Sequence, residues 1–221
     1  MKNYLGSKNG SGVSEAIINL MPPHELYIEP FLGTGAVMKK KAPASRSIGI
    51  DKDLVCISSF HHEGVELYNT CAFQFLRDFD FKSTGRVVVY LDPPYVHSTR
   101  TSQARYQYEL TDDEHRELLT LVREMPCFVL LSGYRNTLYE EMLADWWSTD
   151  FQAMSRGGVR TETVWCNFVP GDIHYHTFAG KNYTDRQRIK RKAQRWAKKY
   201  KSLPPGERQA LLAAMLDISD N

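Results

Sequence analysis

An aspartate, two prolines and a tyrosine, Asp92-Pro93-Pro94-Tyr95, come straight after the apolar run Val87-Val88-Val89-Tyr90-Leu91. That run reads as a buried strand. Proline lacks an amide donor and restricts the residue before it, so the chain can neither continue a ladder nor begin an ordinary helix there. The resulting stiff turn suits a site that presents one carboxylate oxygen and one backbone carbonyl to the same NH2 group, with an aromatic ring beside them for stacking. A bare Asp-Pro-Pro is most often a plain turn; the strand before it, the tyrosine after it and a second glycine-rich turn upstream argue for more. That second turn is Pro30-Phe31-Leu32-Gly33-Thr34-Gly35, which comes after the short strand Leu26-Tyr27-Ile28. Gly33 and Gly35 let backbone approach a ligand where a Cβ would intrude, although a Gly-x-Gly after a strand equally suits a dinucleotide. Asp51 closes the next strand, where a carboxylate can accept both hydroxyls of a ribose. That placement fits adenosine-containing ligands in general.

The elements that must position these residues alternate. Val13 to Leu20 reads as helix, Leu26 to Ile28 as strand, Gly35 to Lys41 as helix and Ser47 to Ile50 as strand. Leu54 to His62 (helix), Val65 to Tyr68 (strand), Phe73 to Asp78 (helix) and Val87 to Leu91 (strand) come next. Such alternation argues for a mostly parallel sheet wrapped by helices. Thr111-Asp112-Asp113-Glu114 is a capping box, with the Thr hydroxyl taking the amide at the third helical position while Glu114 reaches back, and its helix should run to about Arg123. Cys127 to Leu131 reads as the next strand, Leu138 to Trp146 as a helix and Thr163 to Val169 as a late strand. Pro204-Pro205-Gly206 breaks the tail before a short amphipathic helix, Glu207 to Leu216. There is no internal repeat.

Taken in order, these motifs resemble the Dam-type DNA adenine-N6 methyltransferases, especially short phage and prophage members. The resemblance covers most of the chain. It runs through Tyr4-Leu5-Gly6-Ser7-Lys8, Glu29-Pro30-Phe31-Leu32-Gly33-Thr34-Gly35-Ala36, Gly49-Ile50-Asp51, Asp92-Pro93-Pro94-Tyr95, Leu131-Ser132-Gly133-Tyr134 and Thr161-Glu162-Thr163-Val164-Trp165-Cys166-Asn167. It implies a class I S-adenosylmethionine-dependent methyltransferase fold: α/β, a mostly parallel seven-stranded sheet with flanking helices, here followed by a basic helical C-terminal tail. It also implies S-adenosylmethionine as cofactor, with Tyr4, Gly6 and Lys8 closing over it and Lys8 meeting its carboxylate. Pro30, Phe31, Gly33, Gly35, Asp51, the position of Cys71, and Asp92 complete the implied donor site. Asp92-Pro93-Pro94-Tyr95 at the fourth strand, and a first turn that opens with Pro-Phe, favour a methyl donor over a dinucleotide.

Two departures from the family pattern stand out. An acid usually follows the third strand to meet the donor's adenine amino group, and this chain has Asn69-Thr70-Cys71-Ala72. A neutral thiol makes no charge-assisted hydrogen bond, so Asn69 or a backbone carbonyl must take that role, or donor affinity is weaker. The family also inserts a target-recognition domain before the Asp-Pro-Pro-Tyr strand, but the stretch from Phe73 to Arg86 has no room for one. Sequence reading would then fall to the loop from Val96 to Leu110, with Arg100, Arg105, Tyr106 and Tyr108, and to the tail.

The acceptor chemistry is dictated by the amine. The lone pair of adenine N6 is delocalised into the ring, and two acceptors, the Asp92 carboxylate and the Pro93 carbonyl, can draw that nitrogen toward tetrahedral geometry so that its lone pair faces the methyl group. Positioning supplies much of the rate. Pro94 stiffens the turn, and Tyr95 would stack on a base extruded from the duplex. Cytosine N4 presents similar chemistry, so the tetrapeptide alone does not separate the two bases. RNA adenine and protein-glutamine methyltransferases more often begin this motif with Asn, and a non-catalytic nucleic-acid-binding module has no reason to keep Asp92, Asp51 and Lys8 together.

Composition permits one sizeable α/β domain, 1–180, plus an extension, 181–221, in a chain of 221 residues with 42% apolar content. Cys56, Cys71, Cys127 and Cys166 fall at irregular spacing with no Cys-x-x-Cys pair, which signals neither a zinc site nor a disulfide framework. No metal is required by the chemistry above. The N-terminus lacks an apolar signal region, and no apolar run of about eighteen residues could span a bilayer; a cytoplasmic protein is expected. Net charge is +2, yet Lys181 to Lys201 holds ten basic residues and one acid, or +9, leaving −7 elsewhere. Ile189, Ala193, Trp196, Ala197 and Tyr200 recur there at helical spacing, so one face can dock while Lys190, Arg191, Arg195 and Lys198 meet a polyanion. Double-stranded DNA is the expected partner. His174 and His176 share a strand-like spacing without a partner acid or thiol, His61 and His62 read as exposed, and Trp146, Trp147 and Trp165 as core. Ser132-Gly133 lacks the Gly-x-Ser-x-Gly elbow of a serine nucleophile.

Overall fold

The computed structural model describes residues 12–96, 109–155, 158–171 and 183–217. The chain divides into two compact units, 1–175 and 176–221. In the first, a seven-stranded sheet has the order β3-β2-β1-β4-β5-β7-β6. Five strands are parallel: β1 (Leu26–Glu29), β2 (Arg46–Asp51), β3 (Val65–Asn69), β4 (Val87–Leu91) and β5 (Phe128–Gly133). The last two, β6 (Trp147–Ser155) and β7 (Gly158–Cys166), form an antiparallel hairpin whose β7 also runs antiparallel to β5. This is the mostly parallel, seven-stranded class I sheet expected from the resemblance.

Strand alternation builds two cores. Leu26, Ile28, Val87, Val89, Leu91, Val129 and Leu131 turn to one face, where they meet Phe73 and Leu76 of α4 (Ala72–Asp78), Leu118, Leu119 and Val122 of α5 (Asp112–Glu124), and Tyr139 of α6 (Thr137–Met142). Tyr27, Val88, Tyr90 and Leu130 turn to the other, against Ile17 and Ile18 of α1 (Val13–Leu20), Val37 and Met38 of α2 (Ala36–Lys40), and Phe60 beyond α3 (Leu54–Ser59). Both faces of β1 and β4 are covered, which is why those strands read as continuous apolar runs. The capping box at Thr111 is present as read, with the Thr111 hydroxyl accepting from the Glu114 amide and Glu114 accepting from the Thr111 amide.

Several boundaries differ from the sequence reading, among them that of α3, which ends at Ser59 ahead of the expected His62. The helix expected over Leu138 to Trp146 is the shorter α6, after which the chain enters β6, a strand that the polar stretch Ser148-Thr149-Asp150 disguised. The late strand begins at Gly158 and ends at Cys166, ahead of the expected Thr163 to Val169, because its register is set by β6. The tail helix α8 (Pro205–Asp217) starts at the expected break itself, Pro205 occupying the first helical position, where its missing amide costs nothing.

The second unit holds α7 (Tyr183–Lys201) and α8, tied by the Tyr200 hydroxyl donating to the Arg208 carbonyl at 2.9 Å. Lys190, Arg191, Arg195 and Lys198 are all exposed on α7, and Trp196 is 54% exposed.

Candidate active site

Strand order reverses between β1 and β4: β2 and β3 lie to one side of β1, and β4 and β5 to the other. In open α/β sheets the crevice at the carboxyl ends of the strands flanking such a reversal is the ligand site. The chain brings Gly33 and Gly35 to it after β1, Asp51 at the end of β2, and Asp92 after β4. A separate cavity of about 260 Å3, lined among others by Ile18, His24, Lys41 and Arg86, lies at the opposite, amino ends of β1 and β4.

The first turn is fastened to the second strand. The Leu32 amide donates to the Ile50 carbonyl at 2.9 Å, and the Gly33 amide donates to Asp51 Oδ2 at 2.8 Å. Asp51 Oδ1 accepts from the Asp53 amide at 2.8 Å, and the Cys56 thiol also faces this carboxylate. Burial raises the Asp51 pKa, and the two amides and the thiol oppose that rise. Gly33 and Gly35 have φ of 50° and 62°, a left-handed backbone that glycine adopts without strain. At Gly35 the need is internal as well, since an added Cβ would stand 2.1 Å from Phe60 Cε2. Asn69 Nδ2 donates to the carbonyls of Asp51 and Lys52 at 2.9 and 3.1 Å, joining the ends of β2 and β3. Cys71 is the half-buried N-cap of α4, and its thiol makes no cap bond. Pro30 is buried, and Phe31 packs against the core.

On the β4 side, Asp92 is half-buried, Pro93 buried and Tyr95 8% exposed. The Tyr95 hydroxyl stands 3.5 Å from Asp92 Oδ1, at the outer limit of a hydrogen bond. Its ring meets that of Tyr134, which comes just after β5, with centroids 4.5 Å apart and planes at 57°. Tyr139 of α6 accepts or donates a 3.0 Å hydrogen bond with His115 Nδ1, and burial with the nearby Asp92 charge pushes the Tyr139 pKa up. The Asp92 carboxylate thus has Tyr95 beside it and acts electrostatically on Tyr139.

One site residue had no place in the sequence reading of the chemistry. Glu29 ends β1 with 3% exposure, accepts from the Tyr27 hydroxyl at 2.9 Å, and lies close enough to Asp92 for their charges to interact. Burial is the main cause of its pKa, which stands at about 8, and the Asp92 charge adds to the rise. The signal was present: a carboxylate that closes an apolar strand and precedes a proline. Tyr4, Gly6, Lys8, Arg100, Arg105, Tyr108, His174 and His176 lie outside the described residues. Among the described residues, no group of three or more His, Cys, Asp or Glu is arranged to hold a metal, and no helix is long and apolar enough to cross a membrane. No disulfide joins the four cysteines.

Residues 65–161 match the family model of the D12 class N6 adenine-specific DNA methyltransferases. This is the family that the motifs resemble. The D12 match runs from β3 through Asp92-Pro93-Pro94-Tyr95 into β7, whereas the glycine turn and Asp51 lie before it. Among curated proteins, none matches the chain in sequence. Similar solved structures include a precorrin 8W decarboxylase of Methanobacterium thermoautotrophicum, at 15% identity and TM-score 0.48, covering 76% of this chain and 96% of that one. A dimethyladenosine transferase from Plasmodium falciparum is 15% identical, with TM-score 0.48 and coverage of 74% and 62%. The N-methyltransferase NodS from Bradyrhizobium japonicum in complex with S-adenosyl-L-homocysteine is 13% identical, with TM-score 0.46 and coverage of 70% and 85%.

Proposed function

We propose that unit 1 transfers a methyl group to adenine N6 in DNA, with S-adenosylmethionine as donor. The observation that carries this reading is Asp92-Pro93-Pro94-Tyr95 at the exit of β4, beside the reversal of strand order and inside the segment matched by the D12 family. When bound, the donor supplies an electrophilic methyl group on a sulfonium. The residues present fit it: a left-handed glycine turn opens the crevice at Gly33 and Gly35, and Asp51 stands at its side. A carboxylate has about four lone-pair sites. Two amides and a thiol already occupy Asp51, so the contact expected with both ribose hydroxyls narrows to a single or shared one. Pro30 and Phe31 shape the turn, Asn69 and the Cys71 backbone face the adenine side, and Tyr4, Gly6 and Lys8 are assigned to closing over the donor.

Asp92 and the Pro93 carbonyl each accept one N6 hydrogen, which holds the nitrogen with its lone pair toward the methyl group. Proximity and alignment then supply much of the rate, and the N6 proton leaves after transfer. Tyr95, braced by Tyr134, offers its ring to an extruded base. Arg100, Arg105 and Tyr108 are assigned to the DNA around it, and Lys190, Arg191, Arg195 and Lys198 of α7 separately to DNA phosphates, in keeping with a cytoplasmic protein that acts on double-stranded DNA. Modification-aware sequencing of a random DNA library incubated with protein and donor tests this directly. Methylated adenine is expected; modification confined to cytosine, or found only on a structured RNA control, would overturn it.

A further inference from the structure

The cavity at the amino ends of β1 and β4 is lined by none of the residues assigned to the methyl donor or to DNA. Its volume is about 260 Å3, just under the range of about 300–1,000 Å3 usual for ligand clefts, so it suits a molecule of one ring or a short branched chain. Ile18, Met21, Pro22 and Pro23, from the end of α1 and the loop after it, form one part of the wall, and Ala42 and Pro43 beyond α2 form another. All six are apolar. Three are prolines, whose φ is fixed, and a stiff wall loses little freedom when a ligand enters.

The side chains that complete the lining, His24, Lys41 and Arg86, are all basic, and among the described residues no carboxylate joins them. They differ in how far they are already satisfied. The exposed Arg86 guanidinium is paired with Glu25, Nη2 standing 2.8 Å from Oε1. His24 Nδ1 lies 2.7 Å from the Pro22 carbonyl, which can only accept, so that nitrogen carries a hydrogen; burial lowers the ring's pKa to about 4 and leaves it neutral at pH 7. Lys41 is the exception. It is 8% exposed, its Nζ donates to the Ala42 carbonyl at 2.6 Å, and that nitrogen stands 4.8 Å from the centre of the Tyr27 ring. Among the described residues, the carboxylate that acts on Lys41 is Glu29, and it does so through space, without an ion pair.

An ammonium has three donors, and a buried charge without a paired counter-charge is costly. One donor of Lys41 is used and two remain. We propose that this cavity is a binding site for a small monocarboxylate with an apolar body, whose carboxylate meets the Lys41 ammonium while its ring or branched chain packs on Ile18, Met21 and the three prolines. A phosphate dianion asks for more donors than Lys41 has left and gains nothing from apolar walls. A neutral molecule of the same shape leaves the ammonium unanswered. Burial brings the Lys41 pKa down to about 8, so at pH 7 the side chain is still mostly the cation that an anion requires.

The test uses the full chain without methyl donor or DNA, so its outcome is independent of the proposed activity. Benzoate is the probe; benzamide keeps the body without the charge, and inorganic phosphate keeps the charge without the body. In carbon-13 spectra of protein labelled at isoleucine and methionine methyl groups, benzoate at millimolar concentration should shift Ile18 and Met21 saturably, these resonances being assigned by their loss in Ile18→Val and Met21→Leu. Benzamide and phosphate should bind about tenfold more weakly or worse. Lys41→Met, which keeps the length and removes the charge, should weaken benzoate by at least about tenfold and leave benzamide unchanged. Should Lys41→Met not fold, Ala42→Trp decides instead, since Ala42 is exposed and on the lining and an indole there should fill the cavity and block benzoate. The proposal is overturned if benzoate leaves Ile18 and Met21 unshifted, if benzamide or phosphate binds as well as benzoate, or if the deciding variant binds benzoate as the parent does.

Discussion

The carboxylates at the ends of β2 and β4 are built in opposite ways. Asp51 is succeeded by residues with amide donors, and two amides hold its oxygens at 2.8 Å. Asp92 is succeeded by two prolines, which have none to give, and the Tyr95 phenol stands 3.5 Å from its carboxylate. The first arrangement lets a charge serve the scaffold: Asp51 fastens the glycine turn to β2 and would meet a ligand with its remaining capacity. The second offers no amide at the two positions that follow the acid, and under the proposed function that carboxylate would turn lone pairs to a substrate. Acid at a strand end is therefore too coarse a description; the next two residues of the chain decide which local amides are at hand to brace it.

Replacing Asp92 breaks the reactive member alone. Asp92→Ala should abolish methyl transfer while donor affinity, by calorimetry, stays within about tenfold, or roughly 1.4 kcal/mol. Loss of donor binding would show that Asp92 also braces, and the contrast would collapse. Replacing Asp51 should do the reverse. Asp51→Ala strands the Gly33 and Asp53 amides, so unfolding in denaturant should show a loss of about 1–3 kcal/mol, and the donor should bind about tenfold or more weakly. A variant with parent stability would mean that the turn holds without its anchor.

The smallest effect on chemistry is expected from the second unit. Changing Lys190, Arg191, Arg195 and Lys198 together to Glu should raise the KM for DNA and leave donor binding unchanged. If five or six basic side chains meet phosphates, the parent's log affinity falls with log salt at a slope of about −5, each phosphate contributing roughly −0.9. The variant should flatten that slope; an unchanged slope would make α7 a solvated helix and nothing more.

The alternation of elements, the capping box at Thr111 and the strand-end positions of Asp51 and Asp92 were legible because each depends on local chemistry: apolar runs, a cap, a proline. β6 was not, since Ser148, Thr149 and Asp150 lie on an edge strand where polar residues are tolerated, and its hairpin was marked only by Gly157-Gly158 ahead of the β-branched alternation in β7. Glu29 was visible as part of a motif but silent as chemistry. Its meaning depends on Asp92 arriving from a strand far along the chain, and no local pattern reports that. Gly35 carried a half-true signal, since its ring contact with Phe60 constrains it as firmly as any ligand would.

The hairpin has one further property. β7 pairs with β5 only from Thr163 to Cys166, whereas its pairing with β6 continues back to Gly158. Among the described residues, then, β7 pairs with β6 alone from Gly158 to Glu162, past the carboxyl end of β5. Two strands alone are marginally stable in water, and local opening is cheapest where few neighbours hold the backbone. Amide exchange with heavy water should accordingly slow in a step along one continuous strand, between Glu162 and Thr163, marking the point at which the sheet begins to hold the ribbon.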